Sequence, residues 1–214
     1  MRRKAVGFYW TLPVPWAGFN ELPADVDEAA KCSRTIRYQC ELVRRYAKEH
    51  DFELIREEVF MEVQPDRSTP NITQELGILS GFCESHQADI LYVDFKKELG
   101  WRRNLFMEDW MKISPVCCRE IPADSIMIDY HHFDPKKHFR EWRRQQNEWS
   151  SLKSERAKQA FERAATLRAE GLSYPAVAKK MNAGGLKSLS GKDWKGDNVR
   201  KLLDGKGIAR KEPQ

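Results

Sequence analysis

The sequence predicts two domains joined by a long helix. An α/β domain with a mainly parallel sheet flanked by helices occupies residues 1–134, a connecting and oligomerisation helix 135–156, and an all-α helix-turn-helix domain with a tail 157–214. Three observations predict this. Apolar strand-like runs alternate with helix-periodic segments through the first part. A stretch with few breakers, aromatic and basic by turns, follows it. The last quarter holds three short helices with recognisable ends and most of the excess positive charge.

Lys4 to Thr11 (KAVGFYWT) reads as a buried strand, and Pro13, Pro15 and Gly18 end it, leaving residues 12–30 as an extended loop. Ala30 to His50 reads as one helix, with Ile36, Cys40, Val43 and Tyr46-Ala47 at helical spacing. Phe52 to Val63 gives a second strand, and Gln64 to Thr69 a turn-rich loop. Asn71 to His86 is a helix carrying Ile72, Leu76, Leu79 and Phe82-Cys83. Ala88 to Phe95 (ADILYVDF) is the clearest strand, apolar enough to be covered on both faces. Asn104 to Ile113 gives a third helix and Ser125 to Asp129 a short fourth strand. From Pro135 to Gly171 the apolar positions Phe139, Trp142, Trp149 and Leu152 lie among Arg and Lys. This is one long helix or two nearly continuous ones; about 30 residues would span roughly 45 Å.

Within the last quarter, the first helix carries Phe161, Ala164, Ala165 and Leu167 and stops at Gly171. The second starts at Ser173, has Pro175 in its first turn, turns Val177, Ala178 and Met181 to one face and ends at Asn182-Ala183-Gly184-Gly185. The third runs from Asp197 to Leu203 with Val199, Leu202 and Leu203 inward, and Trp194 before it plugs the core. Lys187, Ser190, Lys192, Lys195, Asn198, Arg200 and Lys201 are the predicted contacts to double-stranded DNA. Asn pairs with adenine edges, and Lys or Arg reaches guanine or phosphate.

Composition supports the division. Residues 1–134 hold 17 Lys+Arg and 23 Asp+Glu, a net of −6, whereas residues 135–214 hold 20 and 9, a net of +11. A basic C-terminal part on an acidic N-terminal part points to nucleic acid at one end. No apolar run approaches the ~20 residues of a membrane span. MRRKAVGFYW lacks the long apolar region and cleavage site of a signal peptide. Five cysteines without framework spacing fit a reducing compartment. The expectation is a cytoplasmic, nucleoid-associated protein of bacterial or phage type.

In order, these elements resemble the serine recombinases (resolvases, invertases and large serine integrases). KAVGFYWT resembles the family's first strand. TIRYQCELVRRYAKEHDFEL, Thr35 to Leu54, resembles its first helix and second strand, with Gln39 at the usual glutamine. ADILYVDFKKELGWRRN, Ala88 to Asn104, resembles the central strand and following loop, and LSYPAVAKKMNAGGLKSLSGKDWKGDNVRKLL the C-terminal DNA-reading helices. The resemblance implies a resolvase-like α/β fold and assembly as a homodimer or higher homo-oligomer. It also implies a serine nucleophile after the first strand, with arginines to hold the phosphate. Here Trp10 stands at the arginine position and Leu12 at the serine position. Lys97-Glu98-Leu99-Gly100-Trp101 replaces the family's Asp-Arg-Leu-Gly-Arg. Arg67, Arg102 and Arg103 remain as phosphate contacts, and Ser33 and Ser68 as replacement nucleophiles in other segments.

Neither a metal nor a cofactor is expected. Cys117-Cys118, His131-His132 and His138 lack zinc-site spacing, and Asp89, Asp94, Asp124 and Asp129 form no paired acidic motif. The Gly-rich motifs of nucleotide sites are missing. The expectation is a sequence-specific DNA-binding protein, a transcriptional regulator or DNA-architecture factor, that has lost recombinase chemistry. The alternatives are an active recombinase with shifted catalytic residues, and a module whose basic part binds acidic protein.

Overall fold

Parallel strands need crossovers, and the alternation of strands and helices supplies them. The computed structural model describes residues 2–62, 70–95 and 105–205. β1 (Arg3–Thr11), β2 (Phe52–Met61), β3 (Ala88–Asp94) and β4 (Cys118–Pro122) form one sheet in the order β2-β1-β3-β4, every pairing parallel. β1 and β3 are the two central strands. They bury Ala5, Val6, Phe8 and Tyr9, and Ile90, Leu91, Tyr92 and Val93, as their apolar runs require. α3 (Asn71–His86) and α4 (Leu105–Ile113) cover one face of the sheet, where Leu76, Leu79 and Met107 join Val6, Phe8 and Ile90 in one core.

Ser33 breaks the first predicted helix. In place of a single helix from Ala30 to His50 there are α1 (Val26–Cys32) and α2 (Arg34–Glu49). Ser33 between them is extended, and its hydroxyl accepts from Ile36 N at 3.3 Å, which starts α2. α1 begins inside the stretch expected to be loop. Asp25 caps it by accepting from Glu28 N at 2.9 Å. α2 then buries Ile36, Gln39, Cys40 and Val43.

The fourth strand of the sheet is not Ser125–Asp129. That place belongs to β4, whose edge position tolerates the charged pair Arg119-Glu120. Ile126–Ile128 forms β5 and pairs antiparallel with β6 (His131–Phe133) in a separate two-stranded sheet. The long helical stretch is two helices, α5 (Pro135–Ser151) and α6 (Lys153–Ala169), parted at Leu152. Val63, the loop through Thr69 with Arg67 and Ser68, residues 96–104 with Arg102 and Arg103, and the tail after Gly205 lie outside the described residues.

The chain divides into two compact units, Met1–Pro13 with Glu21–Trp142 and Val14–Asn20 with Arg143–Gln214. In the first, Gln39 is fully buried and holds the backbone of Trp10 at both ends. Its Oε1 accepts from Trp10 N at 3.1 Å and its Nε2 donates to Trp10 O at 2.7 Å. In the second, α6, α7 (Tyr174–Ala183) and α8 (Gly196–Leu203) close on a core of Ala160, Ala164, Leu167, Val177, Ala178, Met181, Val199 and Leu202. The inward stripe of α6 is Ala157, Ala160, Ala164 and Leu167, with Phe161 on its flank, 37% exposed. Alanines there let the neighbouring helices approach closely.

His138 gives the first unit a pH dependence. Its Nε2 lies 3.1 Å from Thr35 Oγ1, and its ring packs against Phe133 and Phe139. Burial, then the charge of Arg34, lowers its pKa from 6.5 to about 4. The unfolded chain therefore binds more protons between those values. The stabilisation is complete above the unfolded pKa and lost as pH falls toward the folded one, a loss of at most about 3 kcal/mol. His138→Gln keeps a polar partner for Thr35 without titrating. Chemical denaturation from neutral to mildly acidic pH is expected to give a shallower fall in stability for the variant than for the parent.

Candidate nucleic-acid interface

Four of the seven predicted contacts lie in the connection that follows α7 (Tyr174–Ala183), and three on α8. α6 ends in a turn where Gly171 has φ 84° and Leu172 N donates to Leu167 O. α7 ends the same way, with Gly185 at φ 74° and Leu186 N donating to Met181 O at 3.0 Å. Each is a glycine-stopped helix followed by an apolar residue that packs back on the core. Ser173 occupies the position before α7 in extended conformation, though its side chain makes no cap hydrogen bond. Twelve residues, 184–195, then connect α7 to α8, more than the turn of about 3–4 residues in a plain helix-turn-helix.

That connection is built around Trp194, which is 5% exposed. Asn182 holds its backbone: Oδ1 accepts from Trp194 N at 2.7 Å and Nδ2 donates to Trp194 O at 3.0 Å. Upstream, Ser188 N donates to Lys192 O and Gly191 N to Ser188 O, both at 2.8 Å, which folds Ser188–Lys192 into a tight turn. Gly191 has φ 80°, and a Cβ there would run into the backbone of Pro15. Only glycine meets both demands.

All seven predicted DNA contacts are exposed. Lys187, Ser190 and Lys192 lie in the connection, Lys195 at the position before α8, and Asn198, Arg200 and Lys201 on α8. Lys187 pairs with Asp193 at 2.6 Å, Ser190 Oγ is 3.1 Å from Ser188 Oγ, and Arg200 lies 3.5 Å from Asp197. Among the described residues Lys192, Lys195 and Lys201 have no ion pair, so their charge is open to phosphate. With Val199 and Leu202 inward, the exposed face of α8 is centred on Asp197 and Lys201. Asn198 and Arg200 flank it, about 160° apart at ~100° per residue. They therefore point to different sides of the helix.

The end of β1 is apolar and filled. The Trp10 ring lies edge-on to Phe95 at 5.4 Å and stacks with Phe139 at 6.4 Å, and Leu12 is 4% exposed. Ser33, distant in sequence, comes to this place. Its hydroxyl is buried, 3.1 Å from Thr11 Oγ1, and also serves as the α2 cap. Neither the position of Ser33 nor the Asn182 clamp was visible in the sequence, where Asn182 reads only as a helix stop. Burial pushes the Cys40 and Cys118 thiols up to about 12 and Cys83 to about 11, so none is a thiolate near neutral pH. Among the described residues no three His, Cys, Asp or Glu are grouped to hold a metal, and no helix is long and apolar enough to cross a membrane.

Residues 153–206 match the family model described as Recombinase. The match covers 54 of the chain's 214 residues. The matched span runs from the first residue of α6 to just past α8 and includes the seven predicted contacts. It supports the serine-recombinase relationship, and the parallel sheet flanked by helices agrees with a resolvase-like fold. A recombinase-family domain implies DNA binding. No curated protein and no solved structure matches the chain.

Replacing Asn182 with Leu leaves the N–H and C=O of Trp194 without partners in a small core. The expected loss is about 2–4 kcal/mol from the second unit. Asn182→Asp, which still accepts from Trp194 N, is expected to fall between parent and Leu variant in thermal unfolding followed by circular dichroism.

Proposed function

We propose that this protein is a sequence-specific double-stranded-DNA-binding protein, descended from a serine recombinase, that no longer cleaves DNA. It acts as a transcriptional regulator or DNA-architecture factor, as a homodimer or higher homo-oligomer. The observation that carries the reading is the set of exposed basic and amide side chains, Lys187 to Lys201, inside the matched recombinase domain. Lys192, Lys195 and Lys201 serve as phosphate contacts, and Asn198 and Arg200 as base readers. Loss of cleavage is supported by Trp10 and Leu12, apolar and packed where the resemblance requires guanidinium and hydroxyl. Residues 135–156 serve assembly in this reading, and the protein works at the nucleoid.

One observation favours a second reading, an active recombinase with shifted residues. Ser33 Oγ lies beside the end of β1. Its burial and its capping bond weigh against attack on phosphorus. In that reading Ser33→Ala abolishes a covalent protein–DNA link and a change at Leu12 does not.

Duplexes selected from a random pool give the probe for the first reading. Changing Asn198, Arg200 and Lys201 together to Ala is expected to weaken binding to the selected duplex about a hundredfold or more. Unchanged affinity would remove α8 as the reading element. Replacing Lys192 or Lys195 alone by Ala is expected to lower the slope of log affinity against log salt by about 1 each, uniformly across sequences.

A further inference from the structure

A second basic feature lies in the first unit, on a domain that is otherwise acidic. A cleft of about 670 Å³ opens between the α1–α2 junction and the β5–β6 hairpin. Lys31, Arg34, Arg37, Asp129, His131 and His132 border it, so three permanent cations face one carboxylate. That carboxylate is already taken. Arg37 Nη2 donates to Asp129 Oδ1 at 2.5 Å. Lys31 is drawn to Glu28 at 2.6 Å, with both side chains exposed.

The remaining cleft residues Arg34, His131 and His132 are exposed and open to a ligand. Arg34 lies over the Phe133 ring at 5.7 Å. Among the described residues Arg34, His131 and His132 have no hydrogen-bond or ion-pair partner. The pleat of β6 puts His131 on the same side as Phe133, which stacks on Tyr38 of α2. His131 therefore faces the helix that carries Arg34.

The wall of the cleft is held in shape. The hairpin tip, Asp129-Tyr130, has φ 48° and 63°, both left-handed. Such a two-residue turn is ordinarily made by Asn-Gly or Asp-Gly, and a tyrosine there is strained. Arg37 fixes this tip to α2 through Asp129. The hairpin and its histidines are thus set against Arg34 before any ligand arrives.

We propose that this cleft binds a phosphate group, held by the Arg34 guanidinium and the His131 imidazole, with His132 and Lys31 at its border. A guanidinium edge matches two phosphate oxygens, and an imidazole N–H supplies a third donor. The phosphate comes from a nucleic-acid backbone or from a free phosphate or phosphomonoester; both present the same oxygens.

The test follows the ring nitrogens of His131 and His132 by NMR in full-length protein with labelled histidine. Inorganic phosphate is titrated at constant ionic strength against chloride. Saturable shifts at His131, weakened about tenfold or more in Arg34→Gln, are the expected result. Shifts that do not saturate, that chloride reproduces, or that persist unchanged in Arg34→Gln would overturn the site. Should Arg34→Gln unfold, His131→Gln serves instead, with His132 as reporter and the same expected loss. A short duplex that moves His131 and is displaced by phosphate identifies a backbone phosphodiester. A duplex that leaves His131 unmoved where phosphate moves it identifies a free phosphate.

Discussion

One side-chain amide governs the presentation of the basic residues in the second unit. Asn182 leaves α7 at its last turn and satisfies both backbone groups of Trp194, twelve positions on. The indole is thereby fixed in the core between α7 and α8. Everything between, from Lys187 to Lys192, becomes a loop with two anchored ends, and Lys195 with α8 follows at a set angle. An amide suits this task because it carries a donor and an acceptor side by side, matching the N–H and C=O of one residue. The first unit uses the same device. Gln39 clamps Trp10 at the end of β1, and the ring it positions closes the aromatic cluster with Phe95 and Phe139. In both units an amide fixes a tryptophan where the chain leaves regular structure.

These two clamps have opposite chemical results. In the second unit, the anchored loop turns cations outward. In the first, the anchored strand end turns apolar surface inward, and Leu12 and Thr11 are buried beside it. A phosphate approaching the end of β1 meets neither an exposed hydroxyl nor a guanidinium among the described residues of β1. Attack on phosphorus needs both an accessible nucleophile and donors placed for the developing charge. Binding needs only the cations, and these are concentrated at the other end of the chain.

Much of the fold could be read from residue pattern. β1, α3 and β3 are long, apolar or strongly periodic, and their bounds follow from breakers such as Pro13 and from Asn71 after Pro70. Three features escaped. The break at Ser33 lies inside a continuous helical pattern, and only the two caps at Asp25 and Ser33 reveal it. β4 is a short edge strand with two charges in five residues, so its alternation is faint. SIMID has strand composition, but composition does not choose between joining the main sheet and pairing with His131–Phe133. At the candidate site, exposure of Asn198, Arg200 and Lys201 followed from the inward stripe Val199 and Leu202. The pairings that temper them, Lys187 with Asp193 and Arg200 with Asp197, depend on how the loop folds and were not legible.

The proposed function rests on recognition of DNA without a covalent link. Genome-wide occupancy in the native cell, recovered under denaturing conditions with and without a chemical crosslinker, tests it most directly. Discrete sites recovered only with crosslinker are the predicted result. Sites that survive denaturation without crosslinker would mean a covalent protein–DNA intermediate and would contradict the account.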